Sequence, residues 1–496
     1  MRTPASLIGQ YRAILAAVGQ ILVLAGILLL TPLLGLVAWP HEASYTCAFV
    51  APALLLAVCG IVLWRFARPR QEVVLRVQEG GVIVFVSWVL VCLASAVPFM
   101  VALRLTFTQA FFESVSGWTT TGLSVVDVTK APHVILLWRS IMQLAGGAGL
   151  AIIMLSAIAG PTGPGFTHAE GRTDQLVPHV RRSARLVLCI YVGYALVGTA
   201  AYWLAGMNAF DAMNHAFAAV STGGFSTRPE SIGYWDSPTI EAVTLPLMIL
   251  GNLNFLTAWL LLRGKLRAVA RNGEVRLFAA LVPLAALTFF LFVCRGLYPT
   301  VGKAIRVAVF ESVTALTTTG FSTTAYVGDV NWGALGFLVL IVFMLIGGGT
   351  CSTAGGIKQY RVYLLFKALL WELRRPFLPR TAVTEDFVWQ GESKDYIQDS
   401  RIRQAATFIF LYLATYVLGV TVLAAHGFSL RDSLFEFASA LGTVGLSVGV
   451  TSADAPGLVL WTETVGMFLG RLEFFVIFTA MAKLALDVPH ILRKGT

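Results

Sequence analysis

Apolar residues fall along this chain in two kinds of run, some of bilayer length and some about half as long. Residues 13–39 carry no charge, too long for the apolar core of a signal peptide, which is roughly 7–15 residues. With a second run at 44–64 they predict a membrane hairpin turning at His41 and Glu42. A four-part pattern follows: long span, half-length helix, polar Gly/Thr loop, long span. It starts at 81–103, 108–118 and 134–158, and returns at 186–205, 209–220 and 240–262. The third copy takes 277–293, 307–316 and 332–346, and the fourth 405–425, 430–441 and 458–486. The short runs cannot cross a bilayer at about 1.5 Å per residue. The expectation is an all-α polytopic membrane protein with ten spans and four half-length helices. Its units would be an extension at 1–76 and repeats at 77–170, 171–270, 271–380 and 381–496.

The loops carry the repeat. FESVSGWTTTGLS begins at Phe112 and FESVTALTTTGFS at Phe310, identical at nine of thirteen positions. NHAFAAVSTGGFS from Asn214 and FEFASALGTVGLS from Phe435 share the frame. Each has a glycine (Gly122, Gly224, Gly320, Gly445) and, nine places earlier, a polar residue: Glu113, His215, Glu311 and Glu436. Standing on four different half-helices, these read as hydrogen-bonding braces, not a metal site.

Composition agrees. Charged residues make up 12% of the 496, against about 25% in soluble domains, and mean hydropathy is +0.77. The formal charge of +10 lies mostly in the extension's end (Arg65, Arg68, Arg70, Arg76) and the joints between repeats. The joints hold Arg172, Arg181, Arg182 and Arg185; Arg263, Lys265, Arg267, Arg271 and Arg276; Lys367, Arg374, Arg375 and Arg380. Beyond the loops stand Asp127, Glu230, Asp236, Asp329 and Asp454 instead. Lys/Arg bias therefore puts joints and both termini in the cytoplasm and opens the loops outward. The basic collar suits topology and anionic lipid, and nothing in it requires nucleic acid. The cysteines (Cys47, Cys59, Cys92, Cys189, Cys294, Cys351) lack metal-ligand spacing and read as packing residues.

Irregular backbone at membrane depth is tolerated only where it is buried in protein or lines water. Four such loops on one axis, each behind a half-helix whose partially negative end faces the axis, would offer a cation a ring of carbonyl oxygens. Threonine adds hydroxyl oxygens without charge. The candidate ligands are Thr120, Thr121 and Gly122; Thr222, Gly223 and Gly224; Thr318, Thr319 and Gly320; Thr443, Val444 and Gly445. Such uncharged ligands suit a weakly held, conducted ion better than Mg²⁺ or Zn²⁺.

These loops resemble the selectivity filter of the Trk/Ktr/HKT potassium transporter superfamily, and the two-helix extension is similar to that of its bacterial Trk-H type. The resemblance covers nearly the whole chain. It implies four membrane–pore-loop–membrane repeats around a pseudo-fourfold pore in the bacterial plasma (inner) membrane, with K⁺ as the transported ion and no organic cofactor. It implies a homodimer and a cytoplasmic nucleotide-binding regulatory subunit as partners. A glycine in every loop implies K⁺ preference, while Thr443-Val444-Gly445 departs from the Thr/Ser richness of the other three loops. An H⁺- or Na⁺-coupled symporter, or a less selective K⁺/Na⁺ pathway, is the alternative.

Two more features bear on passage. Residues 347–356 hold five glycines in ten (Gly347, Gly348, Gly349, Gly355, Gly356) and predict a break in the second span of repeat three. This reads as a gate below the loops, and the family has a mobile intramembrane loop at the matching place. Arg471 lies about 20 Å into the last span and reads as a fixed charge beside the pore, where the family also has an arginine; pairing with Glu463 or Glu473 is its structural alternative. Arg139 is expected to snorkel, and Trp138 and Trp332 to sit at the interface. HExxH and Walker A motifs are absent, so the chain reads as no enzyme.

Overall fold

The computed structural model describes residues 4–67, 75, 77–149, 180–324, 328, 332–379, 387–390 and 393–492. Arg68, Arg70, Arg76, Arg172, Arg380, Asp329, the end of the 134–158 run and the side chains of Arg181 and Arg182 lie outside these. The described residues are almost entirely helical. The extension is α1 (Pro4–Leu30), prolonged by a 3₁₀ segment to Val37, and α2 (Thr46–Phe66). Small residues let the two pack backbone to backbone: a side chain at Gly19 would strike the Gly60 carbonyl region, and one at Gly60 that of Gly19.

Four sets follow. The first is α3 (Val77–Ala102), α4 (Phe107–Trp118) and α5 (His133–Gly147). The second is α6 (Val180–Leu204), α7 (Ala209–Val220), α8 (Pro238–Asn252) and α9 (Phe255–Leu262). After the short α10 (Leu266–Arg271) come α11 (Gly273–Phe289), α12 (Val301–Leu316), α13 (Gly333–Ile346) and α14 (Gln359–Arg374). The last set is α15 (Asp399–Ala425), α16 (Leu430–Gly442), α17 (Gly457–Leu472) and α18 (Phe474–Leu492).

Each short helix starts on a side-chain cap. The Thr106, Asn208, Thr300 and Ser429 side chains accept from the backbone N–H three residues on, a contact worth about 1 kcal/mol apiece. Thr300 sets the start of α12 six residues before the apolar run, making it longer than the other three.

The long second spans are not continuous. α8 turns by 120° into α9, and α17 by 102° into α18, where the expectation was single spans at 240–262 and 458–486. Both breaks follow a Gly-x-Leu-polar turn, Gly251-Asn252-Leu253-Asn254 and Gly470-Arg471-Leu472-Glu473. Asn254 caps the new helix by accepting from Leu256 N–H (2.8 Å). Six described helices are long and apolar enough to cross a membrane, eight if each bent pair is one span. The expected ten is thus not reached among the described residues.

An unexpected antiparallel hairpin, β1 (Phe387–Gln390) with β2 (Ser393–Tyr396), lies between the last two sets. Lys367 Nζ ties it to α14 through the Phe387 carbonyl (2.6 Å). Trp138 and Trp332 are buried, not interfacial. Trp138 packs edge-on against Phe49 of α2 and Trp118 of α4, while Trp332 Nε1 donates to the Tyr298 hydroxyl (3.2 Å). Cys92, Cys294 and Cys351 are buried, whereas Cys47, Cys59 and Cys189 are exposed rather than packed.

Candidate ion-conduction site

The four Gly/Thr loops form one closed ring. A Cβ on Gly122 would strike the Gly223 carbonyl, on Gly224 that of Thr319, on Gly320 that of Val444, and on Gly445 that of Thr121. Each loop therefore abuts the next, in chain order, and the fourth returns to the first.

Helix termination fixes the geometry of each loop. Thr121 N–H bonds the Ser116 carbonyl and Thr120 N–H that of Gly117, the paired bonds of a Schellman cap. The same pair ends α7 (Gly223 to Ala218, Thr222 to Ala219), α12 (Thr319 to Thr314, Thr318 to Ala315) and α16 (Val444 to Ser439, Thr443 to Ala440). Such a cap needs a left-handed residue, usually glycine, yet here it is threonine every time. The φ values are 56° at Thr120, 50° at Thr222, 53° at Thr318 and 51° at Thr443. Two residues on, Gly122, Gly224, Gly320 and Gly445 are left-handed again, at 98°, 72°, 80° and 95°. The caps consume two amides in every loop, and in the first and fourth loops Gly122 and Gly445 N–H also donate to Ser116 Oγ (3.1 Å) and Ser439 Oγ (3.0 Å). Amides engaged in this way leave carbonyl oxygen for a ligand, which favours a cation over an anion.

The four polar residues brace the ring in one pattern. Each reaches the serine eleven positions on: Glu113 to Ser124 (3.0 Å), His215 to Ser226 (2.9 Å), Glu311 to Ser322 (3.2 Å) and Glu436 to Ser447 (2.7 Å). The carboxylates also accept backbone N–H groups of Val125, Thr323 and Val448. Arg139 does not snorkel. It is buried, pairs with Glu113 (2.8 Å), donates to Ser124 Oγ (2.9 Å) and lies 3.9 Å over the Phe225 ring. The extension packed outside repeat one turns that helix end toward protein instead of lipid. Gln143, which has no role in the sequence reading, clamps the second loop: Nε2 donates to Gly223 O (2.5 Å) and Oε1 accepts from Phe225 N–H (3.2 Å). An amide inside an apolar run was the available signal.

Above the ring opens a cavity of about 350 Å³ walled by the four glycines, Asp127, Arg139, Arg228, Ser447 and Thr451. Below it lies the glycine-rich segment 347–356. Its ends are tied together by Gly348 N–H on Gly355 O (3.1 Å) and Ile357 N–H on Leu345 O (3.0 Å). Its tip touches the ring: Thr353 Oγ1 meets Thr222 Oγ1 (3.1 Å), and Gly355 N–H donates to Thr318 Oγ1 (2.8 Å). The equivalent hydroxyls of Thr120 and Thr443 are buried and meet no partner among the described residues, so they are available to a cation. Gly349 N–H bonds Asn252 Oδ1 (3.1 Å) and Thr350 N–H bonds Glu274 (2.7 Å), which pins the segment to α8 and α11. Arg471 holds it from the far side, donating to the Thr353 carbonyl and to Gly146 O (2.7 Å). Glu473 pairs with Arg361 (2.9 Å) and Glu463 accepts from Thr451, so each of the two candidate partners of Arg471 is engaged elsewhere.

A family model described as cation transport protein, TrkH, matches residues 48–487. The Trk system potassium uptake protein TrkH of Escherichia coli K12 is 30% identical over 488 residues, covering 95% of this chain and 99% of that protein. An uncharacterized cation transporter of Methanocaldococcus jannaschii is 28% identical over 485 residues, 97% of each chain. The crystal structure of the potassium transporter TrkH from Vibrio parahaemolyticus superposes with a TM-score of 0.82 at 29% identity, over 96% of this chain and 99% of that one.

Proposed function

This chain belongs to the TrkH family of cation transport proteins, and from that premise we propose that it is the pore-forming subunit of a K⁺ uptake system. It is a multi-pass membrane protein and not an enzyme. K⁺ sheds its water onto carbonyls of residues 120–122, 222–224, 318–320 and 443–445 and onto the threonine hydroxyls. The observation that carries this reading is the closed ring, with its four left-handed threonines two places before four left-handed glycines. The units are the extension 1–76 and the repeats 77–170, 171–270, 271–380 and 381–496. Segment 347–356 gates the inner half, because its tip meets the ring at Thr222 and the segment is held by Asn252, Glu274 and Arg471 from three other helices. Arg471 keeps that gate seated and limits how long a cation dwells there.

The protein works as a homodimer in the bacterial plasma membrane, with cytoplasmic termini and a nucleotide-binding subunit docking on the cytoplasmic face. The relatives named as parts of a Trk system support assembly with other components. The test is Rb⁺ uptake into liposomes holding this chain alone. Uptake blocked by K⁺, weakly by Na⁺ and indifferent to an imposed pH gradient is expected. Uptake that requires the gradient would make the protein a coupled symporter instead.

A further inference from the structure

At one buried position the first and fourth repeats carry opposite charges. Gly146 and Gly470 occupy the same place, since a Cβ on either would strike the carbonyl four residues before a ring glycine, Trp118 O or Leu441 O. Seven residues before them stand Arg139 and Glu463. In repeat one this position supplies the cation that neutralises Glu113. In repeat four it supplies a second carboxylate instead.

Glu436 and Glu463 are both fully buried, and one residue joins them. Thr451 N–H donates to Glu436 Oε1 (3.0 Å) and Thr451 Oγ1 to Glu463 Oε2 (3.1 Å). Glu463 Oε1 meets no donor among the described residues. Among the described residues, the helices around the pair bring it no cation. On α16, Arg431 is bound to Asp432 and lies over Phe337. On α4, Glu113 is taken by Arg139. α15 offers the phenols of Tyr412 and Tyr416, the latter donating to Leu434 O (2.8 Å), and His426, which is exposed and bonded to Val422 O. Arg471 is engaged with carbonyls at the inner end of α17, and Lys483 of α18 with Glu79 and Asp487. Two ionised carboxylates that share a dry site without a counter-charge are untenable, and a proton is the smallest remedy.

We propose that Glu436 and Glu463 share one exchangeable proton, taken up from and released to the outside past Thr451. Thr451 and Ser447, both bonded to this pair, also line the outer cavity, so the route is short. With the proton on Glu463, Glu436 keeps all its donors and the fourth loop stays braced. Its loss sets two negative charges against each other across Thr451 and loosens Ser447 to Thr451, directly after Gly445. This goes beyond ion conduction: it puts a second, protonic ligand behind the least conventional loop.

The test is the infrared spectrum of the purified full-length chain at neutral pH, with Rb⁺ uptake read against external pH. The wild type is expected to show a protonated-carboxyl stretch that shifts on hydrogen–deuterium exchange, which requires no variant. Glu463→Gln should lose that band and flatten the pH dependence of uptake. Glu463→Arg, which restores the arrangement of repeat one, should do the same. A band that survives both variants, or that Na⁺ abolishes at constant pH, overturns the proposal. A lost band with an unchanged pH profile overturns the link to the loop. The spectrum reads the proton whether or not the chain conducts K⁺, so the two conclusions can fail separately.

Discussion

Thr120, Thr222, Thr318 and Thr443 hold a left-handed backbone that β-branched residues avoid, at about 1–3 kcal/mol each. Four matched outliers in one ring are a shared constraint: glycine would satisfy the caps but bring no hydroxyl. At the four glycines the constraint is steric as well, because any Cβ would strike the neighbouring loop. Gly122→Ser should therefore widen or tilt the ring and let Na⁺ compete strongly for Rb⁺ uptake; unchanged competition would remove Gly122 from the site. Arg139→Met leaves Glu113 buried without its counter-charge and should cost about 3–5 kcal/mol. Adding Glu113→Gln should recover part of that loss, as read by thermal unfolding in detergent. The eleven-residue frame from brace to serine was visible in the sequence. The Glu113–Arg139 pair was not, since nothing in a linear apolar run says that another helix covers its end.

Among the elements, α4, α7 and α16 were legible to within one residue because polar caps and glycine loops bound them on both sides, whereas α12 starts six residues before its apolar run. The breaks after Asn252 and Leu472 were hidden because apolar residues resume at once, and hydropathy does not register a turn of the backbone. Comparing LGNLNF with LGRLEF across repeats would have exposed both. The third break announced itself by composition, since only glycine-rich chain can reverse so tightly: Gly347 and Gly356 have φ of 70° and 77°. With the tip of that segment on Thr222 and Thr318, deleting 347–356 should raise Rb⁺ uptake several-fold. A folded but inactive deletion would contradict the gating role.

For the whole molecule, the apolar pattern and the four loops sufficed for class and architecture, while the hairpin at 387–396 and the closing of the ring needed three dimensions. Charge at the mouth of the cavity above the ring is also a property of the assembled surface. Lys130, 2.8 Å away, and Thr129 hold Asp127 down to about 2 from its ordinary 3.8. A depressed carboxyl contributes fully above 3.8 and loses that contribution only as pH falls through about 2. Asp127→Asn should therefore leave the shape of the uptake–pH curve between about 5 and 8 unchanged and lower uptake modestly, an effect erased by high salt. The ring also has a history in time. Three loops leave the ribosome before the fourth exists, and Gly445 must then find Thr121 across most of the chain. Until it does, the first and third loops flank a gap. A nascent chain stalled before α16 should thus show protease-sensitive loops that become protected together when synthesis ends.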